Sequence, residues 1–337
     1  MKAALVGMGP HGRRVLQALA KLEGVELVGV VDRRQTALAE VPEGVGRHPD
    51  LASLFDAGTA DLVCIATNGP SHAELAVEAM ARGARFLMVE KPMACSLAEC
   101  DRMRDTALAR GARLAVDHPR RYTTVYRWVR QNVLAGRWGE PRAMWIQRPG
   151  IGLGCLGTHS FDLARFVTGL EARRVTAWVD EPLGPNPRGE DFVDPGGLVV
   201  LEMERGLRAV VAQVEDGSGP MSVELDLTAA RLRIDEKSGE VELIERDLSV
   251  KKGPDRPAAY QKTLGPEGLT AVRDLEHEIR LLLADLVGGG AIDADIEHGT
   301  RSIEILVAAH LSQRAGNQPI ALPLSDPEQR KVWLPVT

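Results

Sequence analysis

The sequence has few cysteines and few aromatic residues, and its hydrophobic runs are short. Its four cysteines lie in 337 residues with no C-x-x-C spacing, which predicts free thiols instead of a disulfide framework or a zinc ribbon. No apolar run reaches the roughly 20 residues that a membrane-spanning helix needs, and the N-terminus enters a hydrophobic strand instead of a signal peptide. We therefore expect a cytoplasmic protein that does not insert into a membrane.

An excess of positive charge is also absent. The net charge of −6 argues against a nucleic-acid partner or an anionic membrane surface, because either would require a concentrated basic face. The arginine pairs Arg120-Arg121 and Arg173-Arg174 are short, and we expect them to lie on the solvated surface. The length of 337 residues and the hydrophobic content of 44% predict a globular chain with two domains.

The first 34 residues carry the strongest local pattern. Residues 2–7 form an apolar run with the length of one buried strand, and a glycine-rich turn over residues 7–12 leads into a helical pattern. A second apolar run, residues 25–31, ends at Asp32, twenty positions after Gly12. This order of strand, turn, helix, strand and acid is typical of a dinucleotide-binding βαβ unit.

Each residue type in this unit has a physical role. Gly7 permits a tight turn, Gly9 lets the backbone approach a pyrophosphate, and Gly12 lets the helix pack against the strand. The free N–H groups at the helix N-terminus favour phosphate. Asp32 can accept hydrogen bonds from a ribose, which favours NAD, whereas Arg33 and Arg34 could hold the 2′-phosphate of NADP. The predicted cofactor residues here are Gly7, Gly9, Pro10, His11, Gly12, Asp32 and Arg33.

Strands and helices continue to alternate up to residue 119. Further strands are predicted over residues 61–66, 86–89 and 113–116, and capping boxes at Ser71 and Ser96 predict two helix starts. Such alternation predicts a doubly wound parallel sheet, whose ligands bind beyond the carboxyl ends of the strands. Five polar residues fall at those ends: Thr67, Asn68, Glu90, Lys91 and Asp117.

From residue 120 the pattern changes to one helix, residues 123–135, then seven alternating strand-like runs and two closing helices, residues 269–287 and 296–315. The predicted strands are residues 143–147, 175–179, 198–204, 207–213, 222–227, 231–235 and 240–245. We expect an α/β N-terminal Rossmann domain, residues 1–119, that binds NAD(P). We expect an α+β C-terminal domain, residues 120–337, with an open, mainly antiparallel sheet that binds substrate. A sheet covered on one face needs a partner on the other, which predicts a homodimer or homotetramer through this sheet.

Five short motifs are spread along the chain. They are Gly7–Gly12, Asp61–Thr67 with His72, Glu90-Lys91-Pro92, Gly136–Pro141, and Gly157-Thr158-His159-Ser160-Phe161-Asp162. Together they resemble the glucose–fructose oxidoreductase / inositol dehydrogenase (Gfo/Idh/MocA) family over essentially the whole chain. The last motif is similar to the family's G-x-H-x-x-D, and its combination with Glu-Lys-Pro is more specific than any single motif.

The resemblance implies an NAD(P)-dependent oxidoreductase that transfers a hydride between the nicotinamide and a carbon of a sugar, sugar derivative or polyol. It implies that Lys91 contacts both cofactor and substrate hydroxyl, and that His159 is the acid/base group near the reacting carbon. It also implies that the nicotinamide half of the cofactor cleft is lined by Thr67, Asn68, His72 and Glu90.

Two departures from the family pattern put the substrate in doubt. Cys155 stands where the family often has Asp, and Pro119–Tyr122 replaces the family's Asn-x-Arg-Phe. Loss of a carboxylate removes one partner for a substrate hydroxyl. A reductase of a C=N or C=C bond in a small metabolite and a catalytically idle NAD(P)-binding sensor are therefore alternatives, although the presence of both Lys91 and His159 argues against the sensor.

The candidate substrate-contacting residues lie close to these motifs. They are His118, Arg121, Tyr122, Cys155 and Asp162. Asp162 follows His159 by about one helical turn and would either orient the imidazole, contact substrate or serve the structure. Because Cys155 and His159 have no third ligand at useful spacing, we predict no metal site. The polar loop over residues 186–197 is either a substrate lid that contributes Arg188 or a hairpin connection.

Overall fold

Two β-sheets organise residues 1–150, 152–214, 217, 219, 221–247, 249–250, 259–266 and 269–337, which the computed structural model describes. The first sheet is parallel, with the order β3-β2-β1-β4-β5-β6. Its strands are β1 (Lys2–Val6), β2 (Glu26–Val31), β3 (Gly46–His48), β4 (Leu62–Ile65), β5 (Phe86–Val89) and β6 (Arg113–Val116). This order is that of the Rossmann fold, so the predicted doubly wound sheet is confirmed.

The helices of this half connect successive parallel strands. They are α1 (Pro10–Ala20), α2 (Gln35–Leu38), α3 (Leu51–Ala57), α4 (Gly69–Ala81) and α5 (Leu97–Arg110). Ser96 caps α5 as predicted, because its side chain accepts a hydrogen bond from the Glu99 N–H. The predicted start of α4 at Ser71 is wrong. The helix begins at Gly69 after Asn68, and the Ser71 hydroxyl donates to the Asn68 carbonyl within the first turn.

The second sheet has nine strands in the order β14-β13-β12-β11-β7-β10-β9-β8-β15. The strands are β7 (Pro141–Pro149), β8 (Ala172–Val179), β9 (Gly197–Met203), β10 (Arg208–Val214), β11 (Ser222–Leu227), β12 (Ala230–Asp235), β13 (Val241–Arg246), β14 (Tyr260–Leu264) and β15 (Ile320–Ala321). Only the β7–β10 pair among these neighbours is parallel. The predicted open and mainly antiparallel sheet is therefore confirmed.

The helices of the second half cover one face of this sheet and part of the first. They are α6 (Thr124–Leu134), α7 (Thr158–Thr168), α8 (Leu275–Val287), α9 (Ile296–Arg314) and α10 (Pro327–Arg330). The predicted start of α8 at residue 269 is wrong, since Asp274 caps the helix by accepting from the His277 N–H. No helix among the described residues combines the length and hydropathy needed to span a bilayer.

Helix α8 packs on the parallel sheet, although it belongs to the second half of the chain. Ile279, Leu282 and Leu283 lie in one buried apolar cluster with Leu5 of β1 and Met88 of β5. Burial of these side chains fixes the second half against the face of the Rossmann sheet. The carboxyl ends of the parallel strands consequently meet the N-terminal end of α7.

The segment Leu334–Thr337 fills the junction between the two halves. The Leu334 N–H donates to the Cys95 carbonyl, at 2.9 Å, and Val336 is fully buried. A Cβ at Gly69 would lie 2.6 Å from the Val336 carbonyl oxygen, and one at Gly154 would lie 2.4 Å from the Val336 Cβ. The start of α4 and the turn before α7 are therefore held in close contact with the same residue.

Candidate active site

The turn between β1 and α1 has the shape that a dinucleotide diphosphate requires. A Cβ at Gly12 would lie 2.0 Å from the Gly7 carbonyl oxygen, and Gly7 itself has φ +98. No atom lies within 4 Å of a Cβ built at Gly9, so glycine there is not required by the protein's own packing. Gly9 precedes Pro10 at the start of α1, where the open space adjoins free backbone N–H groups. These features fit a bound diphosphate.

Asp32 lies at the end of β2 and fixes the same turn. Its Oδ2 accepts from the Met8 N–H at 2.8 Å, and the Arg34 guanidinium bonds both carboxylate oxygens at 3.1 and 3.0 Å. Burial alone would raise the pKa of Asp32, but the hydrogen bonds from Arg34 and Met8 lower it. Arg33 is exposed, and its contact with the cofactor stays a prediction. Arg34 pairs with Asp32, so loss of this carboxylate would free the Arg34 guanidinium.

His11 joins the cofactor turn to the ends of β5 and β6. Its Nε2 lies 2.6 Å from Asp117 Oδ2 and 3.7 Å from Glu90 Oε2. Burial opposes the charged form, but these two carboxylates raise the pKa of His11 to about 9. The ligand atoms of the three residues lie within 4.8 Å of one another, a spacing that could hold a cation. A protonated His11 already supplies positive charge there, and the absence of a catalytic metal stays a prediction.

Lys91 directly follows Glu90, and its side chain extends into the space beside Cys155. Its Nζ lies 3.1 Å from Glu90 Oε1 and 3.9 Å from Cys155 Sγ, and the peptide to Pro92 is cis. Burial favours the neutral amine, but Glu90 and Cys155 outweigh it and raise the pKa of Lys91. The side chain is therefore an ammonium at neutral pH. It can donate hydrogen bonds and stabilise negative charge.

The residues predicted beyond β4 differ in their accessibility. Thr67 Oγ1 hydrogen-bonds the Ser71 hydroxyl at 2.7 Å, and Asn68 is exposed as the N-cap of α4. His72 is fully buried, with Nδ1 2.8 Å from the Pro92 carbonyl oxygen. His72 thus supports Pro92, the residue that follows Lys91. The contacts of Thr67, Asn68 and His72 with cofactor stay predictions.

His159 lies in the first turn of α7 and is 8% exposed. Its ring packs edge-on against that of His118, with centroids 5.6 Å apart. Within the described part of the chain, its buried Nδ1 has no hydrogen-bond partner. Burial and the positive charges of Lys91, Arg120 and Arg148 hold the pKa of His159 well below its usual value. The imidazole is therefore neutral at neutral pH and able to accept a proton.

Arg121 and Asp162 bind each other. Arg121 Nε and one terminal nitrogen donate to the two Asp162 oxygens at 2.8 and 2.7 Å, and both side chains are buried. Tyr122 lies in the apolar cluster of α8, with the Arg127 guanidinium 4.8 Å from its ring centroid. These contacts connect the turn Pro119–Tyr122 to the rest of the fold. Substrate contacts by Arg121, Tyr122 and Asp162 stay predictions.

The surface position predicted for Arg120-Arg121 is wrong, since each side chain is only 3% exposed. Arg120 makes two hydrogen bonds of 2.8 Å to Glu236, which also accepts from the Tyr126 hydroxyl. Each arginine is buried because it meets a carboxylate from a distant element, which the local sequence does not reveal. The pair Arg173-Arg174, in contrast, is exposed as expected.

Asp194 is a site residue that sequence reasoning missed. It lies in the loop over residues 186–197 and is 4% exposed. Its two oxygens accept from the Gly154 and Cys155 N–H groups, at 2.7 Å each. Burial raises the pKa of Asp194 to about 6, despite these hydrogen bonds. This loop therefore places a carboxylate beside the backbone of Cys155, while Arg188 donates to the Thr337 hydroxyl instead. No spacing or motif in the sequence marks Asp194.

The sheet order and the glycine turn define an NAD-binding Rossmann protein with a second, mainly antiparallel domain. Residues 1–118 match the family model of the Gfo/Idh/MocA oxidoreductases, described as an oxidoreductase family with an NAD-binding Rossmann fold. The N-terminal part of the chain is thus similar to this family.

Curated relatives and solved structures are also similar to this chain. Inositol 2-dehydrogenase 3 of Saccharopolyspora erythraea is 29% identical over 222 residues, 62% of this chain and 64% of that protein. Inositol 2-dehydrogenase of Streptomyces avermitilis is 31% identical over 232 residues, 64% of this chain and 66% of that protein. The chain thus spans just under two thirds of each relative. An Agrobacterium radiobacter oxidoreductase, solved with NAD+, L-tartaric acid and magnesium, shares the fold, with a TM-score of 0.77, 21% identity, and coverage of 95% of this chain and 98% of that one.

Proposed function

We propose that this protein is an NAD(P)-dependent dehydrogenase that transfers a hydride between the nicotinamide and a CH–OH carbon of a sugar, sugar derivative or polyol. The proposal rests on one observation. A buried ammonium, Lys91, follows the carboxyl end of β5 and lies close enough to the buried neutral imidazole of His159 to lower its pKa. The inositol dehydrogenases among the relatives support the substrate class.

The two side chains divide the proton chemistry of alcohol oxidation between them. A bound nicotinamide supplies the hydride chemistry. His159, neutral because of burial and neighbouring cations, accepts the hydroxyl proton. Lys91 stays an ammonium and stabilises the oxygen as negative charge develops on it. In reduction the same groups act in reverse, with His159 donating the proton.

A second candidate function is reduction of a C=N or C=C bond in a small metabolite. It is favoured by Cys155, which stands where the family often has Asp and lies 3.9 Å from Lys91. A catalytically idle sensor would gain nothing from a buried ammonium beside a buried imidazole, because both groups cost free energy to desolvate. Lys91 and His159 thus argue for an enzyme.

The first experiment is a fluorescence titration of the purified protein with NADH and NADPH, followed by turnover assays at the nicotinamide absorbance. The substrates are polyols, sugars, sugar acids, imines and activated alkenes. We expect cofactor binding and oxidation of at least one hydroxyl compound. Turnover of imines or alkenes alone would establish the second candidate, and cofactor binding without any turnover would favour the sensor.

We propose NAD as the preferred cofactor because Asp32 lies at the end of β2. Replacing Asp32 with alanine should weaken NADH binding by about 10- to 100-fold, since the ribose loses a charge-assisted hydrogen bond. NADPH affinity should change far less, because Arg34 is then released to meet a 2′-phosphate. Fluorescence titration of both nucleotides measures the difference, with the exposed Asp56→Ala as the control. Equal losses for the two cofactors would contradict a ribose contact by Asp32.

We propose that the protein forms a homodimer or homotetramer through the open face of the second sheet. Trp145, Trp178 and Leu198 lie on that face and are 43%, 46% and 38% exposed. Replacing both tryptophans with glutamate should reduce the assembly to monomers in sedimentation velocity, because charge would enter an apolar contact. Leu108→Glu, at an exposed position of α5, is the control. A monomeric wild-type protein would contradict the proposal.

We also propose that residues 1–119 bind the cofactor and that residues 120–337 bind substrate and mediate assembly. The position of Lys91 after β5 and of His159 in α7 supports this division. The cytoplasmic location and the absence of a nucleic-acid partner stay predictions. All four cysteines are free thiols, which agrees with a reducing compartment.

A further inference from the structure

Arg148 points from β7 into the covered side of the second sheet. Side chains alternate along a strand, so Arg148 shares a face with Met144 and Ile146, which are 0% and 1% exposed. In the parallel pairing of β7 with β10, Arg148 lies opposite Gln213, which is also fully buried. The covered face of the second sheet therefore carries two polar side chains, those of Arg148 and Gln213, beside its apolar ones.

The other cations near this point have carboxylate partners. Lys91 pairs with Glu90 at 3.1 Å, Arg120 with Glu236 at 2.8 Å, and Arg121 with Asp162 at 2.7 Å. In contrast, no described residue gives the Arg148 side chain a carboxylate or a hydrogen bond, and one of its terminal nitrogens is buried without a partner. Arg148 thus has no ion pair or hydrogen bond of its own among the described residues, although the more distant Glu236 carboxylate favours its charged form.

Arg148 is half-buried, and its Nη1 atom is fully buried without a partner, which is costly to maintain. Burial and neighbouring Arg120 lower the pKa of Arg148 to about 9, so it is still charged at neutral pH. The Gln213 amide donates to the Gly150 carbonyl at 2.6 Å, and its own Oε1 is buried without a partner in the described residues. These free groups offer a ligand one hydrogen-bond donor, from Arg148, and one acceptor, from Gln213.

Arg148 also acts electrostatically on the reacting groups. Its positive charge contributes to lowering the pKa of His159, and Cys155 in turn favours the charged form of Arg148. An anion bound at Arg148 would consequently lie near His159, the group proposed to accept the substrate proton. The cofactor diphosphate, in comparison, has its own site at the start of α1.

We propose that Arg148 binds a carboxylate of the substrate, so that the substrate is a hydroxy acid of the sugar-acid class and not a neutral polyol. A carboxylate carries one negative charge and matches the planar guanidinium in a bidentate arrangement. A phosphate would bring close to two negative charges to a single guanidinium. The oxidation itself rests on the proposed function, whereas binding of the carboxylate does not.

The test compares matched acids and neutral compounds on the wild-type protein saturated with NAD or NADH. The pairs are D-gluconate with D-glucitol and D-glucuronate with D-glucose, with D-glucose 6-phosphate as the phosphate. Calorimetry measures binding, and nicotinamide absorbance measures kcat/KM. We expect the acid of at least one pair to bind about 10- to 100-fold more tightly than its neutral counterpart.

The variant Arg148→Met should abolish that preference, whereas Arg142→Met, an exposed arginine on the same strand, should retain it. NADH affinity close to wild type would show that Arg148→Met is folded. The variant should also raise the pKa of His159, seen as an upward shift of the acid limb of the kcat/KM profile, because one neighbouring cation is lost.

The outcomes separate the two proposals. Acid binding that depends on Arg148 without any turnover would support this inference and contradict the dehydrogenase. Turnover of neutral polyols with no preference for acids, or the same preference in Arg148→Met, would overturn this inference and leave the dehydrogenase intact. Preference for the phosphate over both acids would also overturn it.

Discussion

Replacing Lys91 with methionine should lower kcat by about 10²- to 10³-fold, because the developing alkoxide loses its positively charged hydrogen-bond donor. The buried side chain is held between Glu90 and Cys155, at 3.1 and 3.9 Å, where no other lysine of the described residues lies. Methionine retains most of the volume, and His11 still compensates Glu90 from 3.7 Å. The fold should therefore survive, and steady-state kinetics with the best substrate measures the loss.

Two comparisons make the Lys91 result specific. Lys21→Met, at an exposed lysine that pairs with Glu276, should leave kcat unchanged. NADH affinity of Lys91→Met should stay within about tenfold of wild type, because the diphosphate and the ribose bind elsewhere. A kcat close to wild type would remove Lys91 from the mechanism and leave His159 as the sole group with an argued proton role.

The fold was predictable where the residues of an element themselves show how that element is buried. β1, β2, β4, β5 and β6 are near-continuous apolar runs, which is how strands buried on both faces appear. β3 was not predicted, because Gly46-Arg47-His48 has no such run. β14 and β15 were not predicted either. They lie at the two edges of the second sheet, where partial exposure weakens the alternating pattern.

The site was predictable only in the part that short motifs carry. Lys91 and His159 were found through Glu-Lys-Pro and G-x-H-x-x-D. Arg148 was missed because the predicted strand ended at Gln147, one residue before it; with Met144 and Ile146 inward, one more step of alternation would have placed Arg148 inward. Asp194 was missed because its partners, Gly154 and Cys155, are 40 and 39 positions away along the chain.

The Arg121–Asp162 pair shows why local composition misled. Two adjacent arginines normally indicate exposed surface, but burial depends on partners that fold next to them. Asp162 lies 41 positions from Arg121, and the Phe166 ring lies 5.0 Å from the Arg121 guanidinium. Arg121 lowers the pKa of the buried Asp162 carboxyl, which keeps the carboxylate charged in the folded state. The pair therefore stabilises the fold above the ordinary pKa of Asp, and this contribution falls as Asp162 is protonated at lower pH.

Replacing Arg121 with methionine should lower the free energy of unfolding by about 3–5 kcal/mol at pH 7, because Asp162 would be left buried without its bidentate partner. Urea denaturation measures the loss. The loss should be smaller at pH 5, because removing Arg121 raises the pKa of Asp162, which then keeps, among the described residues, only the 3.8 Å contact with Arg165 and can take up a proton. Arg173→Met, which breaks an exposed pair with Glu204, should cost less than about 1 kcal/mol.

The double variant Arg121→Met/Asp162→Leu decides between a structural and a substrate-binding role for Arg121. If the pair is structural, removing both charges should recover most of the stability that Arg121→Met loses, because no buried charge is left unpaired. KM for the best substrate should then differ little among the wild type, Arg121→Met and the double variant, although their stabilities differ. If Arg121 instead contacts substrate, Arg121→Met should change stability by less than about 1 kcal/mol and raise KM. That result would make Arg121, and not Arg148 alone, a binding group for the substrate.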